Sequence, residues 1–230
     1  MTEILAYGNQ REDHVIRYAW SWAACVFFSN HPKYGPILRD LYNNKLDYSN
    51  SLSLKLKKRL AAEWSDVLVD WNAFVSDLDF GYDLQRSSLV SGENTKSRKL
   101  NEGVTVNFML ETDRGWQATG IMLEVGKPVR ISCSGNYIMK KSTSQLDTNW
   151  VVGPQGVTHQ YFRGNPLGCV TASVVPRDGV DQTKRWKTIR IGRETDLVPE
   201  VAGELFLKVN EPSKELWDNS GSVSVAISSK

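Results

Sequence analysis

The spacing of apolar residues changes once along this chain, near residue 104, and that change sets the fold class. Between Asp13 and Leu78 apolar side chains recur every three to four residues. Val15, Ala19, Trp22, Ala23 and Val26 make one stripe, and Trp64, Val67, Leu68, Trp71, Phe74, Val75 and Leu78 make a cleaner one. Such a period gathers side chains on one side of a helix, so both stripes are expected to be core faces. The HPKYGP segment around Pro32 and Pro36 breaks one helix and starts the next, and Asp47 to Ser51 is rich in capping and turn residues. About four helices are expected, antiparallel where connections are short.

From Val104 the period falls to two. Val104, Val106, Phe108 and Leu110 alternate with polar residues, followed by Ile121, Leu123 and Val125, by Val129 and Ile131, and by Val170, Ala172 and Val174. Ile189 with Ile191, Leu205 with Leu207 and Val209, and Val223 with Val225 and Ile227 complete about seven strands, divided by Gly, Pro, Asn and Asp. That number suits a sandwich. The expectation is an α+β protein with a helical bundle at 1–86, a polar, serine-rich linker at 87–103 and an antiparallel β-sandwich at 104–230.

Charge narrows the partners. The net charge of +2 comes from 28 basic and 26 acidic residues, and the one dense basic run is Lys55, Lys57, Lys58 and Arg59. No aromatic platform is interleaved with it, so it is expected to be a solvated helix face rather than a nucleic-acid site. No stretch approaches the ~20 apolar residues that span a bilayer, and the N-terminus lacks an apolar leader core. Export is expected only if the chain belongs to a longer secreted product. Cys25, Cys133 and Cys169 are odd in number and far apart. Cys25 is expected in a helical core and the other two in strands as free thiols, a bridge between them needing neighbouring strands.

Catalysis needs a nucleophile, a base and a stabilising group in one place. His14, His31 and His159 stand in no catalytic or metal-binding motif; His14 opens a helix and His31 belongs to a turn. Asp66, Asp70, Asp77, Asp79 and Asp83 are expected on a solvated helix face. The helical half is therefore expected to be non-catalytic.

A stronger signal lies in VNEPSKELWDNSGSVSVAI, Val209 to Ile227. An acidic loop, Glu211 to Asp218, closes through Asn219, Ser220 and Gly221 into a strand of period two, so oxygen donors sit on a rigid frame suited to a hard cation or a sugar. Asp218 and Asn219 could instead satisfy backbone groups in a tight hairpin. Trp217 is expected to offer an exposed indole to the apolar face of a sugar ring, or to fold back on the sandwich edge.

The segments IMLEVGKPVRISCSGNYIM, NWVVGPQGVTHQYFRGNPLGCV and GELFLKVNEPSKELWDNSGSVSVAI resemble the calcium-dependent, galactose-specific bacterial lectins with a small galactose-binding-like β-sandwich. The likeness runs from about Trp116 to Ile227. Its most specific parts are WxxGPQG at Trp150, the G-x-L-x-x-x-V-N opening at Gly203 and the DNSGSVSV close. The resemblance implies calcium held by Glu211, Glu215, Asp218, Asn219 and the main-chain carbonyl of Tyr137; Tyr137 and Trp217 are the residues expected at the carbohydrate. The chain departs from the family by Glu211 and Glu215, where aspartate and threonine are usual, and by lacking a His-Pro-x-Gln sugar loop, so the likeness implies glycan binding without a choice of galactose.

The helices YAWSWAACVFFSNHPKYGPILRDLYNN and EWSDVLVDWNAFVSDLDFGYD are similar to the helical C-terminal part of gluzincin-type zinc peptidases. That likeness implies the non-catalytic tail of a secreted peptidase whose HExxH segment lies upstream. Non-enzymatic glycan binding is the main expectation, with the helices as a platform, a homo-oligomer contact or a seat for an upstream catalytic domain.

Overall fold

A computed structural model describes residues 14–43, 52–89, 97–142, 148–176 and 186–230; the turn expected at Asp47 to Ser51 lies outside them. The protein is α+β, with helices first and strands after. Helices α1 (His14–Asn30) and α2 (Tyr34–Asn43) are followed by α3 (Leu52–Arg59), a 3-10 turn at Ala61–Glu63, α4 (Trp64–Asp77) and the short α5 (Leu84–Ser87). His31 starts α2: its Nδ1 accepts from the backbone N–H of Lys33 at 3.2 Å and of Tyr34 at 3.4 Å, doing the work of an N-cap oxygen. Pro36 costs α2 little, because a first-turn residue has no helical N–H bond to lose. Asp83 caps α5 by accepting from the Arg86 N–H.

Phe27 is the hub of the helical core. Its ring lies 5.5 Å from Trp71, 5.4 Å from Phe74 and 5.9 Å from Tyr34, with Leu56, Leu60 and Val67 packed around them. The α4 stripe is buried as expected, and the α1 stripe is not. Ala23 is buried with Ala24, Phe27 and Phe28, whereas Val15 and Trp22 are exposed, as is Cys25. Helix α1 is apolar on two sides, and periodicity alone does not tell which side meets the core.

The thirteen described strands are β1 (Arg98–Lys99), β2 (Thr105–Glu111), β3 (Gln117–Leu123), β4 (Val129–Ser134), β5 (Tyr137–Lys140), β6 (Trp150–Val152), β7 (Tyr161–Phe162), β8 (Asn165–Pro166), β9 (Val170–Val175), β10 (Ile189–Arg190), β11 (Glu194–Leu197), β12 (Gly203–Val209) and β13 (Ser222–Ser229). A five-stranded sheet, β1-β3-β12-β9-β10, faces a four-stranded one, β11-β4-β13-β2, and two short hairpins, β5-β6 and β7-β8, lie beside them. All neighbours are antiparallel except β1 and β3. Leu205, Leu207 and Val209 of β12 meet Ile131, Val223 and Val225 from the opposite sheet in the sandwich core. Cys133 and Cys169 are buried free thiols.

The other side of the five-stranded sheet is covered too. Val69 and Ala73 of α4 pack with Leu89, Trp116, Val175 and Phe206, so every residue of β12 is buried. This third layer carries polar ties. Lys208 donates to Asp77 Oδ2 at 2.5 Å, Arg163 donates to Asp77 Oδ1 at 2.8 Å, and Arg86 pairs with Asp113 at 2.9 Å. A Cβ at Gly115 would stand 2.8 Å from the Ser87 Cα, so this close approach needs glycine. Two of the five aspartates expected in solvent are thus internal: Asp77 holds Lys208, and buried Asp70 accepts from Tyr34 Oη at 2.5 Å. Of the 87–103 segment expected to be a linker, Ser87 closes α5, Leu89 joins the helix–sheet interface, Arg98 and Lys99 pair with β3, and Leu100 packs on the sandwich core.

Candidate functional site at the loop between the two sheets

The acidic loop is not a hairpin. It leaves β12 in one sheet and enters β13 in the other. Its middle, Ser213–Asp218, is a 3-10 helix pinned from three directions. Leu216 is buried in the sandwich core. From the helical side, Ser213 Oγ accepts from the backbone N–H of Asp83 at 2.9 Å and lies 2.6 Å from Ser87 Oγ. At its end, Ser220 exchanges backbone hydrogen bonds of 2.9 and 3.0 Å with Ile138 of β5, which sets Tyr137 against Gly221.

Asn219 locks the centre. Its Nδ2 donates to Thr112 O at 2.8 Å and to Glu211 Oε2 at 2.6 Å. Both partners are acceptors, so they fix which way the amide points. Its Oδ1 is buried and has no hydrogen-bond partner among the described residues. An orphaned buried oxygen costs about 1–3 kcal/mol unless something meets it.

The carboxylates disturb one another. Burial pushes the Glu211 carboxyl up to about 7, against the Asn219 hydrogen bond and with help from Asp218 and Glu215. Asp218, also buried, is raised by burial and by Glu215, with Lys140 and Lys141 pulling the other way. Glu215 lies at the exposed rim. Next to it Trp217 is 59% exposed, so the indole is turned outward rather than folded onto the sandwich edge.

The structure thus brings Glu211, Asp218 and Asn219 together, with Glu215 and Trp217 on the rim. It places Tyr137 differently from a ligand-contacting side chain. The ring is buried and its hydroxyl donates to Gly168 O at 2.7 Å, leaving only the main-chain carbonyl as a donor. Gly168 sits at φ +75, where a Cβ would collide with Met139 Sδ and Tyr137 Oη at 2.7 Å. No three His, Cys, Asp or Glu side chains among the described residues form a group that could hold a metal ion. The oxygens on offer are therefore two carboxylates, the Asn219 amide oxygen and a backbone carbonyl. Two supporting residues, Ser213 and Thr112, had no sequence signal; Asn210, the last residue of the Gly203 motif, donates its Nδ2 to the carbonyls of Phe162, Asn165 and Pro166 and holds the β7-β8 turn against the loop.

No protein-family profile matches the chain, and no curated protein matches it. Among solved structures it is similar to the EclA N-terminal domain, a PllA-like lectin, at 16% identity over 54% of this chain and 95% of that one, with a TM-score of 0.39. It is similar to the IMPa metallopeptidase from Pseudomonas aeruginosa at 14% identity over 61% of this chain, with a TM-score of 0.31, and spans 14% of that peptidase. A third is PliG of Aeromonas hydrophila, a periplasmic inhibitor of g-type lysozyme, at 7% identity, covering 63% of this chain and 98% of that one, with a TM-score of 0.31. None of the three reaches 25% identity or a TM-score of 0.5.

Proposed function

We propose that this chain is a non-enzymatic carbohydrate-binding protein whose site is the Glu211–Asn219 loop, with calcium as the bridging cation. The observation that carries the reading is the orphaned Asn219 Oδ1, buried beside two carboxylates, Glu211 and Asp218, that burial and neighbouring acidic groups push toward protonation. A hard cation would relieve both costs at once. Glu211, Asp218, Asn219 and the Tyr137 carbonyl supply four donors, with Glu215 on the rim outside that set. Calcium takes about 6–8 oxygens, so positions remain for water or sugar hydroxyls. Trp217, facing outward next to these donors, offers its indole to the apolar side of a sugar ring.

The test is a glycan array read with calcium and with chelator, together with melting curves in both. Calcium at ~100 times its dissociation constant adds about 2.7 kcal/mol to stability. A raised melting temperature and calcium-dependent array binding, both lost in Asp218→Asn, support the proposal. Identical melting curves together with an array blank in both buffers would reject it.

A further inference from the structure

We infer that the cavity between α4, β9 and the segment 197–201 is a second binding site, which takes an uncharged, mainly apolar small molecule carrying a carboxamide. The cavity encloses about 610 Å³ and is walled by Val174 and Val175 of β9, by Ile189, and by Leu197 and Val201. That volume lies within the roughly 300–1,000 Å³ of small-molecule sites. Strand pairing explains why the space is there. Among the described residues β10 covers the edge of β9 only at Thr171 and Ala172, while Val174 and Val175 pair with β12 alone. Beside them the Trp186 indole lies 5.3 Å from the Trp116 ring and 5.2 Å from Phe206, so this wall is held by the helix–sheet interface.

Two polar features choose the ligand. Asn72 lines the cavity from α4, on the same side of that helix as Val69 and Ala73, which pack on the sheet. It is half-buried, and its side-chain amide makes no hydrogen bond to another described residue. Such an amide offers a donor and an acceptor side by side, and a second carboxamide returns an acceptor and a donor in the same plane. The rim carries the charges. Lys187 donates to both carboxylate oxygens of Glu200, at 2.9 and 2.8 Å, so each charge is met by the other. The remaining described lining is uncharged. A charged ligand would lose its hydration here without gaining a counter-ion, whereas a neutral one keeps an apolar body against apolar walls.

Calorimetric titration of the full chain tests this with N-acetyl-L-phenylalaninamide and its charged counterpart, N-acetyl-L-phenylalanine. The amide should bind with Kd on the order of 1 mM, as its size allows, and the carboxylate at least about tenfold more weakly. Asn72→Leu keeps the side-chain volume and removes both hydrogen-bonding groups. Val198→Trp narrows the mouth from a position that is 55% exposed and lines the cavity. Each should weaken the amide at least about fivefold. Melting curves establish that the variants fold, and if Asn72→Leu does not, Val198→Trp decides. Chelator should leave the amide's affinity unchanged, which separates this site from the Glu211–Asn219 loop. No binding of the amide at 10 times that Kd, equal binding of amide and carboxylate, or an unchanged affinity in either folded variant would overturn the inference.

Discussion

Replacing Asp77 by asparagine should cost this protein more stability than its position at the end of a helix suggests. The Lys208 ammonium projects from the helix-facing side of β12, is 5% exposed, and has Asp77 Oδ2 at 2.5 Å and the Trp116 ring centre at 5.0 Å. Burial holds this lysine below the usual range even with Asp77 beside it. Asp77→Asn keeps the shape, removes the compensating charge and turns an amide N–H toward either Lys208 or Arg163. Breaking a buried pair by removing one partner costs about 3–5 kcal/mol. For a chain of this size that lowers Tm by about 10 °C. The double variant Asp77→Asn/Lys208→Met, which leaves no buried charge, should recover most of the loss, giving a coupling of about 2 kcal/mol or more in the cycle. Urea unfolding of the four proteins measures it. A single variant within 1 kcal/mol of wild type, or a double variant no better than the single, would show that water reaches Lys208 and that the bridge does not tie helix to sheet.

Three further outcomes are expected. The Glu211 carboxyl is raised from 4.5 to about 7, so the folded protein without cation holds a proton there that the unfolded chain releases; stability from this group is present below pH 4.5 and falls by about 3 kcal/mol as pH rises past 7, a slope that Glu211→Gln should abolish in chelator. His31 has the opposite sign: burial, with Lys33 nearby, lowers it from 6.5 to about 4, so its contribution is present above pH 6.5 and about 3 kcal/mol is lost as pH falls through 4, and His31→Asn, which keeps a capping acceptor, should flatten that limb. Wild type should therefore look level between pH 4.5 and 6.5, with the two slopes appearing one at a time in the single variants. Trp217→Ala should leave unfolding within about 0.5 kcal/mol of wild type while weakening glycan binding in the array; a loss of 3–5 kcal/mol would mark the indole as core.

Much of the fold is legible because burial leaves a period. All seven groups of alternating apolar residues lie in or at the edge of observed strands, and the α4 stripe faces the core. The period fails where a segment is too short to show one, as in the two- to four-residue strands β5 to β8. It also fails where an element has two apolar sides, as in α1. In β12, Glu204 and Lys208 gave the alternation of a strand with a wet face, yet helix α4 covers that face. Nothing near residue 208 announces a counter-ion at residue 77. The candidate site divides the same way. Glu211, Asp218 and Asn219 are close in sequence, so their meeting is readable, but the clamp on Ser213 comes from Asp83, 130 positions away, and the acceptor for Asn219 from Thr112, 107 positions away.

The two long central strands lie under different rules for sequence drift. In β13 the inward residues Val223, Val225 and Ile227 alternate with Ser224, Ala226 and Ser228, so roughly every second codon can wander while polarity is kept. Strand β12 grants no such freedom, because every one of its residues is buried. Among distant relatives β13 should remain recognisable as a rhythm, whereas β12 should persist as particular residues that change together with Asp77, Val69 and Ala73 on the helix above it.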